Sequence, residues 1–218
     1  MKTKQKAIVG NTFYTIAAAL ILNGVLQILI YPRLNADMGS EVIGGVLYIT
    51  GLVSILGPSI GQALNTGRLV VRRDYDVSNG DYNRIILLFS AIGIAIALLI
   101  SRKSLDGPMV YAATAVLLLI TIFRYYGDTE YRLSLNYKGY LIYYVLISVG
   151  YIVGYVVFRL GGSWFWIFLI GEIAGIVYLA AKGSIFHNFW KTSPNHNIVL
   201  QKGALLVMSY FITNTTLN

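Results

Sequence analysis

Six stretches of apolar side chains, separated by shorter polar ones, divide most of the chain: about 7–31, 42–64, 85–100, 109–125, 140–158 and 163–181. A bilayer core about 30 Å thick is crossed by roughly 20 apolar helical residues. The pattern therefore predicts an all-α polytopic membrane protein whose six transmembrane helices form one lobe. Pro32 is expected to end the first helix, and Pro32 to Glu41 to form a turn. Asn65 to Arg84 reads as a charged loop containing a Ser78–Asp81 turn, and Ser104 to Pro108 as a tight turn. Arg124 to Gly139 reads as a polar, tyrosine-rich hinge, with Arg124 at the end of the fourth helix and able to reach headgroups. A seventh apolar run, 203–217, follows Lys202 and is too short for a full crossing by Asn218. The organisation expected is a lobe over 1–182, a cytosolic linker over 183–201 carrying Phe186, Phe189 and Trp190, and the start of a second lobe over 202–218.

Composition agrees with the pattern. The chain is 56% hydrophobic and 12% charged, where a soluble domain carries about 25% charged residues. A net charge of +8 would suit nucleic acid if it were clustered. Instead the cations sit in short segments between apolar runs, which argues for no nucleic-acid partner. With the N-terminus in the cytosol, 13 of the 17 lysines and arginines fall on the inner side and four on the outer. That asymmetry predicts a multi-pass protein with a cytoplasmic N-terminus. The first run is too long for a cleaved signal core. The chain has no cysteine. His187 and His196 lack the companions of a metal site, so no metal and no cofactor is expected. No paired carboxylates or nucleophile–base set points to an enzyme.

Polar residues inside the runs are the candidates for function. Asn11, Thr15, Asn23 and Gln27 lie at multiples of four along the first run and so drift slowly round one side of a helix. Lipid offers them no hydrogen-bond partner, so that side either bonds neighbouring helices or lines a polar path. The second run carries Gln62 beside Gly57-Pro58-Ser59-Ile60-Gly61, where Pro58 predicts a kink and the glycines a close helix contact. Gly150 and Gly154 have GxxxG spacing. Glu172 reads as the one carboxylate well inside an apolar run. An acid at midplane costs roughly 2.5–3.5 kcal/mol to insert and is by default a functional candidate.

The segment Tyr131-Arg132-Leu133-Ser134-Leu135-Asn136-Tyr137-Lys138-Gly139-Tyr140, after Phe123-Arg124-Tyr125-Tyr126, resembles the cytosolic turn between helices four and five of Wzx-like bacterial polysaccharide flippases. These belong to the multidrug/oligosaccharidyl-lipid/polysaccharide exporter superfamily. The resemblance implies two six-helix lobes around a cavity that opens to one face at a time in the bacterial plasma membrane. It implies a lipid-linked oligosaccharide as cargo, and admits a polysaccharide polymerase and glycosyltransferases as partners. Asn11, Asn23, Gln27 and Gln62 would then bond sugar, Arg124 would attract phosphate, and Glu172 would carry a coupling proton. The alternatives are a multidrug cation/proton antiporter of the same superfamily, which wants carboxylates in this lobe, and a truncated membrane assembly subunit without transport activity.

Overall fold

A computed structural model describes residues 2–102 and 107–217. Among the described residues there are seven helices and no strand. Six are long and apolar enough to cross a membrane: α1 (Gly10–Ser40), α2 (Val42–Val71), α3 (Asn79–Ser101), α4 (Pro108–Ser134), α5 (Tyr137–Arg159) and α6 (Phe165–Lys182). The helical backbone leading into α1 starts at Lys2. The seventh, α7 (His196–Leu217), opens ahead of Lys202. The all-α class and the six spans are as the hydropathy pattern predicts.

The helix ends differ from the expected ones, each for a local reason. Pro32 does not end α1. A π-helical stretch, Val25–Ile30, precedes it, and the Tyr31 N–H reaches back to the Leu26 carbonyl. A widened turn gives the proline ring the room that a regular turn denies it. The break comes instead at Gly39, whose φ of 79° and ψ of 161° leave the helical region. Within α2, no dihedral leaves the helical region at Pro58.

The charged loop expected over Asn65 to Arg84 shrinks to residues 72–78. Ser78 does not begin a turn; it caps α3, its N–H donating to Asp81 Oδ2 at 2.8 Å. That carboxylate satisfies an amide the helix start would otherwise leave open. The expected hinge likewise contracts, because α4 runs on through Arg124 to Ser134. Only Leu135, with φ 53°, and Asn136 separate α4 from α5. Asn136 caps α5 by accepting the Gly139 N–H at 2.9 Å. Of the expected Ser104 to Pro108 turn, residues 104–106 lie outside the described residues.

The chain divides into two compact units. The first comprises 1–44 and 131–179, and so holds α1, α5 and nearly all of α6. Its α5–α6 contact is backbone against backbone. A methyl on Gly150 would lie 2.6 Å from the Gly171 Cα, and one on Gly154 2.4 Å from the Trp166 carbonyl oxygen. The GxxxG spacing thus marks a true helix contact. Ile147 and Tyr143 are fully buried in this unit.

The second unit comprises 45–130 and 180–218: most of α2, then α3, α4, the α6–α7 connector and α7. A methyl on Gly61 of α2 would sit 2.2 Å from the Ile122 carbonyl oxygen of α4. Gly93 of α3 accommodates Ile60, and Gly203 of α7 accommodates Leu64. Polar side chains join α7 to α2: Asn214 donates to Ser59 Oγ at 2.9 Å, and the hydroxyls of Thr66 and Tyr210 lie 3.1 Å apart.

Candidate functional site

In the first unit, Asn11 lines a groove of about 350 Å³ with Thr12, Thr15, Ile16 and Tyr137. Two amide or hydroxyl turns of α1 thereby face the first residue of α5. Thr15 also bonds back to the Asn11 carbonyl at 3.0 Å, which ties the two turns together. Further along α1, Asn23 and Gln27 are exposed. They stand one helical turn apart on a helix of membrane-crossing length. An amide facing hydrocarbon has no partner there, so this side of α1 is chemically suited to water, cargo or another polar surface.

Glu172 is 3% exposed and accepts a hydrogen bond from the Tyr151 hydroxyl at 2.7 Å. The glycines make the approach possible. A methyl on Gly171 would lie 2.0 Å from Tyr151 Cδ1, so no larger residue fits beside that ring. Phe168 closes another side of it, edge-on, with centroids 6.1 Å apart. Further along α5, the Tyr155 hydroxyl donates to Asp37 of α1 at 2.6 Å, and Arg159 pairs with the same carboxylate.

In the second unit, Gln62 is half-buried on α2. Arg124 lies inside α4 rather than at its end, 4% exposed, its guanidinium carbon 4.0 Å from the centroid of the Tyr125 ring. It is therefore a buried cation and not one that reaches out to the headgroups. Asp128 follows one helical turn later and is 5% exposed. Glu172 is thus not the only buried carboxylate: Asp81 and Asp128 join it among the described residues. The sequence places 124 and 128 at helical spacing, but the density of polar residues there reads as loop.

The feature that sequence reasoning missed is a polar clasp on the connector. Asp81 is fully buried and accepts the Ser193 N–H at 2.9 Å, besides the Ser78 amide, and lies 3.2 Å from His196 Nδ1. Asn79 donates to the carbonyls of Ser184 and His187, and Asn83 to that of Ile185. Arg68 donates to both Tyr126 and Asn79. Glu130 accepts the Ser184 N–H at 2.8 Å. The one local signal is the capping box at Ser78 and Asp81; the other partners lie far along the chain.

Geometry and composition together define the class: an α-helical protein with six helices long and apolar enough to cross a membrane, carrying buried charges and, on α1, exposed amides. Comparison with protein-family models, with curated proteins and with solved structures finds no match.

Proposed function

We propose that this chain forms a transport lobe of the Wzx-like flippase kind, moving a lipid-linked oligosaccharide across the bacterial plasma membrane by alternating access. The observation that carries the reading is the set of polar residues that α1 presents at two levels of the helix. Asn11 and Thr15 open onto a groove, and Asn23 and Gln27 stay exposed on a helix that is otherwise fit for lipid. A flippase must offer a sugar headgroup polar walls while its lipid tail stays in hydrocarbon. Amides, which both donate and accept, meet sugar hydroxyls without regard to which partner donates. Arg124 is 4% exposed here, so it meets a phosphate only once the alternating movement uncovers it, and Glu172, held by Tyr151, is the group to carry a coupling proton.

A second reading, a multidrug cation/proton antiporter, gains from Asp128. Two buried carboxylates, Asp128 and Glu172, suit a cationic cargo better than Glu172 alone.

The test uses cells carrying the full-length gene, with Asn23→Leu/Gln27→Leu and Glu172→Gln variants at matched expression. The flippase reading expects surface polysaccharide to fall about thirtyfold in the double variant, the loss expected when a pair of hydrogen bonds worth roughly 1 kcal/mol each is removed. Unchanged polysaccharide together with lost ethidium efflux would overturn it in favour of the antiporter.

A further inference from the structure

The connector between α6 and α7 is held at a definite depth. The 23 residues of α3 make a rod about 35 Å long at 1.5 Å per residue. That exceeds a hydrocarbon core of about 30 Å, and the charged and amide residues of α3 are gathered at its start, Asn79 to Arg84, ahead of the apolar run 85–100, so it is the first turn that belongs at headgroup level. This is the turn the connector is bonded to. Asn79 holds the Ser184 and His187 carbonyls at 2.8 and 2.9 Å, Asn83 holds that of Ile185 at 3.1 Å, and Ser78 Oγ donates to the Lys191 carbonyl. Gly80 brings the two backbones together, since a methyl there would lie 2.2 Å from the Lys191 oxygen.

The aromatic residues of the connector then divide their roles. Phe186 and Phe189 pack against Phe123 of α4, with centroids 5.9 and 6.3 Å away. Trp190 turns outward and is 61% exposed. Arg84, itself exposed, donates to the Trp190 backbone carbonyl at 2.7 Å, which ties a cationic side chain to the residue that carries the indole. Lys191 adds an exposed ammonium on the next residue.

We propose that Trp190, Arg84 and Lys191 form a rigid docking surface for anionic lipid headgroups, fixing this end of the second unit in the interfacial layer. An indole belongs at headgroup level, and two cations at that level meet lipid phosphate, each adding to the attraction of an anionic leaflet. The depth chooses lipid over a soluble partner, because the surface stands where the spans themselves meet headgroups. The inference rests on the membrane-spanning reading of α3.

The experiment uses the full chain with Trp164→Phe and Trp166→Phe, leaving Trp190 as the sole indole. It is reconstituted into phosphatidylcholine vesicles with and without phosphatidylglycerol. Carbonate washing first establishes whether the protein is integral; release from the vesicles would remove the spanning reading and this inference with it. In retained protein, Trp190 fluorescence is expected to be quenched by lipids brominated near the headgroup and shielded from aqueous iodide. Spin-labelled phosphatidylglycerol should be selected over labelled phosphatidylcholine. Arg84→Gln with Lys191→Gln should lower that selectivity at least about threefold. Lys191→Gln alone, which alters only an exposed head, should give part of the loss. Free access of iodide to Trp190, with selectivity unchanged in both variants, would overturn the proposal and assign the surface to the aqueous phase.

Discussion

Gly154 shows how little room single positions leave. It faces the backbone of α6 at Trp166 and Ile167, so a side chain there has nothing flexible to displace. Gly154→Val is expected to destabilise the α5–α6 pair by about 1–3 kcal/mol, as overpacking does elsewhere, read by reversible unfolding in mixed micelles. The GxxxG spacing was legible because it is local and its meaning in an apolar run is specific. Glu172 was legible for the same reason, a charge set against apolar neighbours. Asp81 was not. Its charged surroundings, 65–84, look like a solvated loop, and the groups that satisfy it, at Ser193 and His196, come from the far end of the chain. Asp81→Ala leaves the Ser78 and Ser193 amides without their acceptor. It should cost about 1–3 kcal/mol and speed hydrogen exchange at Ser193 well before exchange in α3 itself rises.

At the scale of elements, the boundaries depart from the hydropathy pattern where polar residues continue a helix. Between Arg124 and Ser134 nothing breaks the backbone: there is no proline, and Arg124, Asp128 and Thr129 are all buried. Hydropathy falls there while the helix goes on, because the burial is tertiary and not written in neighbouring residues. Pro32 misled in the opposite sense, since the π stretch before it absorbs the ring. The residue that does break the helix is Gly39. Its φ and ψ belong to a region essentially reserved for glycine, and a methyl there would meet no atom within 4 Å. Gly39→Ala therefore isolates backbone strain. An expected loss of about 1–3 kcal/mol, measured by thermal unfolding in detergent, should come without any change in packing elsewhere.

For the whole molecule, six spanning helices and the skew of lysine and arginine towards one side predict where each turn lies. Reporters fused at Gly161 and Gly107 should be active only outside the cell, and reporters at Asp76 and Asn188 only in the cytosol. Cytosolic activity at Gly161 would reverse the orientation and with it the flippase reading. The division into units was not legible, because apolar runs of similar length give no sign of which will pair.

That division is interleaved along the chain. Residues 1–44 belong with 131–179, while 45–130 belong with 180–218. During synthesis α1 enters the bilayer first, with Asn23 and Gln27 exposed. Its partners α5 and α6 leave the ribosome only after three other helices have been inserted. Neither unit can then be made as a continuous gene fragment. The early helices must be sheltered by the insertion machinery until the later ones arrive, so a ribosome stalled after α4 would leave both units unfinished in the membrane and exposed to quality-control proteases.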